Sequence, residues 1–297
     1  MPLLEEVLTM GLALPFGEEK EGQPRDPATV KEAYDSWHKC FNGILSPILD
    51  NPEKVWSSFR GAVDHCYDTT PMRNIKMTGV SNKDEFKFHI FNNTDKTPSN
   101  VITLGIGWDV LAEQKLKSLL PNGSHFYGAD PIYDDNDRLF STVGQFFPLA
   151  VGNETMLSSA YVMPKQLRGQ YVYRTMVHID VITFLTKLTR TPFIDQFLMD
   201  NEGAEYDLLP MMGRDGAFDH NGITVCQINV EMHYGHANFK ERFATIVKRL
   251  LEDRRYAVFR QRQFTEYLNL ATSHQRTFLL NFENKTCVEK YISQYFK

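Results

Sequence analysis

VITLGIGWDV, Val101 to Val110, is the stretch that decides how the chain is built. Val101, Ile102 and Leu104 make a short β-branched run without alternation, the pattern of a strand covered on both faces. Gly105 and Gly107 then allow the backbone to turn, and Ala112, Leu116, Leu119 and Leu120 fall on one helical face beyond them. Glu113 and Lys117 form an i,i+4 pair outside that face. Strand, glycine turn and helix in this order open an α/β unit. Such a turn serves either as a tight connection or as the cradle of a nucleotide-like cofactor, and residues further along the chain separate the two.

The pattern repeats downstream. Strands are expected at His125–Ala129, Phe146–Val151, Ile194–Met199 and Val225–Val230, with late strands near 256–264 and 275–281. Helices are expected near 109–120, 135–141 and 239–253, and from an Asp180 cap through Leu188. A hairpin insertion covers roughly 155–176. This alternation predicts an α/β fold with a parallel sheet carrying helices on both faces. Ahead of it lie a polar entry segment at 17–30, two helices between Pro27 and Cys66 separated at Asn51-Pro52, and a small hairpin within 71–100 carrying Phe86, Phe88 and Ile90. The expected division is an N-terminal extension or cap over 1–95 and the main domain over 96–297.

Composition narrows the class. The 297 residues are 42% hydrophobic and 23% charged, so a sizeable core can form. A net charge of −5 argues against a nucleic-acid partner. The apolar run near the N-terminus is too short to cross a bilayer and carries Glu5 and Glu6 where a signal peptide would be positive. Four cysteines (Cys40, Cys66, Cys226 and Cys287) show no CxxC spacing, which argues against zinc; their number permits two disulfides. Asn92, Asn122, Asn153 and Asn284 each open an N-x-S/T sequon. Compartment is left open between the cytoplasm, slightly favoured, and a secretory lumen. Oligomeric state is also left open.

Three clusters carry chemistry. Asp130 ends the second strand about twenty-five residues after Gly105, where an acid accepts hydrogen bonds from ribose hydroxyls; the simpler role is a turn before Pro131. In FLMDNEGAEYDLL (197–209), apolar residues deliver Asp200 and Glu202 to a strand tip, and Glu205 falls in the first turn of the next helix, where a carboxylate suits the dipole. In INVEMHYG (228–235), alternation points Glu231 and His233 to one face, a pairing suited to general acid/base work or to a metal. His236 and His274 have no such context and are expected on the surface or in structural hydrogen bonds.

With these residues in view the chain resembles the FkbM-type methyltransferases, class I enzymes dependent on S-adenosylmethionine. The resemblance runs over roughly 100–235 through NVITLGIG, HFYGADP, PLAVGNET, FIDQFLMDNEGAEYDLLPMM and CQINVEMH, and the DNEGAEYDLL segment corresponds to the family's D-x-E-G-A-E motif. The tail SHQRTFLLNFENKTCVEKY is similar to the animal, especially nematode, branch. What the resemblance implies is a Rossmann-like sheet of seven mostly parallel strands, with S-adenosylmethionine as cofactor. Gly105 and Gly107 would lie under its methionine portion, Asp130 on its ribose, and Asp200 near the transferred methyl. The implied reaction is O-methylation of a small-molecule or glycan-like hydroxyl, with Glu231 or His233 as base and Asp200 and Glu202 positioning substrate or cofactor.

One departure stands out. The family's first motif usually reads D-x-G-A-N, whereas here Thr103 takes the place of the acid and Gly107 that of the Asn; Asp109 lies close enough to substitute for the acid. The rival reading is therefore a catalytically silent member that keeps the fold as a binding or scaffolding protein. A nicotinamide-dependent oxidoreductase is disfavoured, because position 110 is Val where G-x-G-x-x-G needs a third glycine. The leading reading carries no metal; a metal-dependent variant would use Asp200, Glu202 and His233 as ligands. The acceptor pocket is expected to come from the N-terminal cap and the 155–176 insertion.

Overall fold

The computed structural model describes residues 28–83, 86–92, 94–167, 169–263 and 274–296. Most of the entry segment at 17–30, and residue 264 of the first late strand, lie outside this set.

Two helices begin the described chain. Thr29 and Glu32 form a reciprocal capping box that starts α1 (Val30–Leu45), and Asn51 caps α2 (Pro52–Thr69) with Pro52 in its first turn. A disulfide between Cys40 and Cys66 ties the two. The antiparallel hairpin β1 (Thr78–Ser81) and β2 (Phe86–His89) follows.

The remaining strands and helices alternate much as the apolar pattern demands. They are β3 (Asn100–Leu104), α3 (Leu111–Leu119), β4 (His125–Ala129), α4 (Asp134–Phe140), β5 (Gln145–Phe147), β6 (Ala150–Gly152), β7 (Met156–Val162) and β8 (Val172–Asp180). Then come α5 (Val181–Thr183), β9 (Phe193–Met199), α6 (Glu205–Met211), α7 (Ala217–His220), β10 (Thr224–Met232), α8 (Phe239–Asp253), β11 (Tyr256–Gln263), β12 (Gln275–Asn281) and α9 (Lys285–Cys287). A seven-stranded sheet runs β11-β12-β10-β9-β3-β4-β5, parallel throughout except for β12. This is the mostly parallel α/β sheet with N-terminal helices that the sequence implies.

Two expectations are corrected. The apolar run 146–151 is not one strand: Pro148 has no N–H to continue a ladder, so β5 stops at Phe147 and β6 pairs instead with β8 in a separate three-stranded sheet, order β6-β8-β7. Nor does Glu113 lie outside the apolar face of α3. Glu113 is buried against Thr103, and Lys117 reaches the carbonyls of Thr142 and Val143.

The helices ahead of the sheet share its core. Trp56 and Phe59 meet Phe243 of α8 edge-on, with ring centroids 5.0 and 4.8 Å apart, and Trp37 stacks on Phe41. Each buried ring of this size contributes on the order of 2–3 kcal/mol. The β1–β2 hairpin is fastened to the sheet by side-chain amides. Asn229 accepts from the Phe88 N–H (2.8 Å) and donates to the Phe88 carbonyl (2.8 Å). Gln227 does the same for Ile90 at 2.8 and 3.0 Å. Two side chains of β10 thus satisfy backbone groups that lack a neighbouring strand.

Candidate active site

The parallel strands β3, β4 and β9 end together, and a cavity of about 490 Å³ opens beyond their tips. This is where an open α/β sheet binds ligands, outside the carboxyl ends of strands that lead off in opposite directions. The Gly105 N–H donates to the Ala129 carbonyl (2.9 Å) and the Asp200 N–H to the Leu104 carbonyl (2.9 Å), so three strand ends are laced to one another. A Cβ on Gly105 would stand 1.7 Å from the Asp200 carbonyl oxygen, and its φ of +82° is left-handed, so glycine is required there on two counts.

Asp130 is bound into the turn it faces. One oxygen accepts from Ile106 (2.8 Å) and Gly107 (3.3 Å), and the other accepts from Ile132 (2.7 Å) in the turn at Pro131. Burial pushes its carboxyl up, against the pull of these N–H groups. It serves the turn and the cavity wall together. Gly105, Gly107, Asp130, Asp200 and Glu202 all line the cavity.

Thr103 and Asp109 do not. Thr103 is buried on β3 with its hydroxyl directed to Glu113 of α3 (3.3 Å), and Asp109 accepts from the backbone of Lys83 (2.9 Å) and Leu111 (3.0 Å).

Other cavity residues had no signal in the sequence. Trp108 and Asn201 bring buried polar atoms, Nε1 and Oδ1, that no group among the described residues satisfies. Tyr161, Tyr171 and Tyr173 come from the β7–β8 insertion, and His236 and Arg242 from the far wall. The insertion therefore builds part of the cavity as expected. The N-terminal helices contribute nothing to it, because α2 packs against α8 and β11 instead.

Behind the cavity lies a charged knot centred on His233. Its Nδ1 is 2.8 Å from Glu205 Oε1; its Nε2 is 3.3 Å from Asp200 Oδ1, 3.4 Å from Glu202 Oε2 and 3.9 Å from Glu231 Oε1. Glu205 is fully buried and accepts from the N–H groups of Asn201 (3.0 Å) and Gly203 (2.7 Å), so it both closes the strand-to-helix turn and orients the imidazole. Glu202 reaches its place through a left-handed backbone, φ 54°, a conformation that costs a residue other than glycine about 1–2 kcal/mol.

Glu231 is held by Arg276 Nε at 2.6 Å, and His274 stands edge-on to His233 with ring centroids 4.5 Å apart. His274 thus belongs to the knot, contrary to expectation. Burial alone would discharge His233, but the Glu205 charge and the bonds to Asp200 and Glu205 outweigh it and hold the ring well above its ordinary range. Burial likewise opposes the Asp200 anion, yet the bond to His233 prevails and lowers it to about 2. Glu202 is raised, chiefly by burial. His274 is pushed down to about 4 by burial and by the His233 charge. Of this knot, the carboxylates of Asp200 and Glu202 face the cavity, while Glu231 is turned toward Arg276 and His274.

The sequence profile of the methyltransferase FkbM domain matches residues 65–259, from within α2 into β11. An uncharacterised protein of Caenorhabditis elegans is 21% identical over 285 residues, 92% of this chain and 86% of that protein. Among solved structures, a Clostridium thermocellum protein described as an rRNA methylase aligns with a TM-score of 0.31 and 8% identity, over 62% of this chain and 88% of the other. A human protein containing a methyltransferase 10 domain aligns with a TM-score of 0.35 and 8% identity, over 84% and 98% respectively.

Proposed function

Because the chain belongs to the FkbM methyltransferase family, we propose that it methylates a hydroxyl oxygen of a small-molecule or glycan-like acceptor, using S-adenosylmethionine. The observation that supports this reading is the cavity at the strand tips. Its 490 Å³ falls in the range of small-molecule sites. Its wall carries the unsatisfied Trp108 Nε1 and Asn201 Oδ1, which a polar cofactor would pair, and the close-packed Gly105 turn. Gly105, Gly107, Asp130 and Asn201 would hold the cofactor. When bound, it supplies an electrophilic methyl carried on a sulfonium sulfur.

The rest is alignment, which alone is worth several kcal/mol of barrier. Tyr161, Tyr171 and Tyr173 offer ring faces to the acceptor. Glu202 takes the hydroxyl proton, because its raised carboxyl lines the cavity while the lowered Asp200 holds protons weakly. Asp200 fixes the position of the reacting oxygen. The test is calorimetric titration with S-adenosylhomocysteine. Micromolar binding by the wild type, weakened at least tenfold in Asp130→Ala, is the expected result.

Thr103, buried against α3 where the family carries an acid toward its cofactor, favours the second reading, a silent binding protein. A folded wild type that takes up no S-adenosylhomocysteine would decide for it. We also place the chain in an oxidising, secretory compartment. Two disulfides, Cys40–Cys66 and Cys226–Cys287, use all four cysteines, and such bonds persist where thiols are not kept reduced. No helix of the described residues is long and apolar enough to cross a membrane. Of the sequons, Asn122 in the loop before β4 and Asn153 after β6 are exposed, so a shift in mass on glycosidase treatment, reduced in Asn122→Gln and lost when Asn153→Gln is added, is expected after expression through the secretory route.

A further inference from the structure

We propose that Asp200, Glu202 and His233 form a binding site for one divalent cation of the Mn²⁺ type, at the inner edge of the cavity. The geometry of His233 is the first ground. Its Nδ1 is taken by Glu205, which is fixed by two backbone N–H groups, so Nε2 is aimed at the other carboxylates. A buried carboxylate on the far ring nitrogen is the support that metal-bound histidines ordinarily have.

The distances are the second ground. Nε2 lies 3.3 Å from Asp200 and 3.4 Å from Glu202, at the long end for an N–H···O bond, and one N–H cannot serve both well. Ligands at right angles around an ion with bonds of about 2.1–2.3 Å sit roughly 3.0–3.3 Å apart, so these separations suit one shared ion with only small adjustment.

The third ground is a second set that overlaps the first. Glu231, His233 and His274 also bring their ligand atoms within 4.8 Å of one another, and His274 Nδ1, 3.5 Å from Glu231 Oε1, is buried with no hydrogen-bond partner among the described residues. The first set is chosen because Asp200 and Glu202 line the cavity, which leaves open coordination positions facing it. One imidazole with two carboxylates and open positions favours a fairly hard, water-carrying ion.

The cation site does not depend on methyl transfer. Its use does: resting on the function proposed above, the ion, held by one oxygen of each carboxylate, would fix the acceptor hydroxyl oxygen and make its proton easier to lose to the other Glu202 oxygen.

The experiment titrates Mn²⁺ into the purified full-length chain, freed of metal by chelator, and follows the loss of the free-ion electron paramagnetic resonance signal. One equivalent is expected to bind, tenfold or more weaker in Glu202→Gln and in Asp200→Asn, with His233→Ala abolishing it. Thermal unfolding checks that each variant is folded, and the carboxamide variants stand if His233→Ala does not fold. No stoichiometric binding by the wild type, or binding unchanged in both carboxamide variants, would overturn the proposal. S-adenosylhomocysteine titrated separately in excess chelator keeps the two readings apart: its failure with Mn²⁺ binding intact sinks the cofactor reading alone, and the reverse pattern sinks the cation site alone.

Discussion

At the scale of single residues, two glycines of one turn behave differently. An added Cβ at Gly105 collides with the Asp200 carbonyl, while at Gly107 it meets nothing within 4 Å, although φ is +57°. Gly105→Ala is therefore expected to cost more than about 2 kcal/mol in urea unfolding and to abolish cofactor binding. Gly107→Asn should cost less than about 1 kcal/mol, because Asn tolerates the left-handed region; equal costs would refute this account of the turn.

His89 gives a pH prediction away from the cavity. It is fully buried, hydrogen-bonded to Gln196 (2.8 Å), and pushed down to about 4 by burial. The unfolded chain takes up this proton near pH 6.5 and the folded chain only near 4, so stability falls as pH drops through that interval, by roughly 3 kcal/mol. Urea titrations at pH 7, 5.5 and 4.5 should show His89→Gln losing less than the wild type. A parallel loss in both would assign the titration elsewhere. The acids and His233 were legible at this scale because strand tips collect them. His274, Trp108 and Asn201 were not, since only folding brings them to the same cavity and knot.

Among elements, the β1–β2 hairpin depends on its amide rungs. Asn229→Leu would remove the two amide bonds to the Phe88 N–H and carbonyl, at about 1 kcal/mol or more for each. Faster hydrogen exchange at Phe88 and Ile90, with β9 and β3 unchanged, is the expected signature; unchanged exchange at Phe88 would show that the rung is not needed. Long amphipathic helices and fully apolar strands were easy to read. The helix at 239–253 is found at the bounds its apolar spacing gives, and β4 likewise. The run 146–151 misled because apolar continuity hides a change of sheet, and Pro148 was the available warning. Gln227 and Asn229 read as ordinary residues of a buried strand, since an amide that replaces a missing neighbour strand leaves no periodic trace.

For the whole molecule, the two disulfides close sequence separations of 26 and 61 residues. Loops of this size are worth roughly 3–4 kcal/mol each in the chain-entropy account. Reduction should lower the midpoint of thermal unfolding by about 10 °C or more, read by scanning calorimetry with and without reductant; an unchanged midpoint would mean that the bonds add nothing to the folded state. The parallel architecture was legible because alternation of strand and helix leaves few alternatives, whereas the side on which the N-terminal helices pack was not.

The place of β12 also bears on how the molecule is made. It lies between β10 and β11, both of which precede it in the chain, and Cys287 follows it to join Cys226 of β10. As the chain leaves the ribosome, β10 and β11 emerge with a gap between them that only a stretch translated after both can fill. The Cys40–Cys66 bond can form once both helices have emerged, but the second bond must wait for Cys287. A truncated or stalled product would keep that gap open and Cys226 unpaired, two features by which quality control could recognise it.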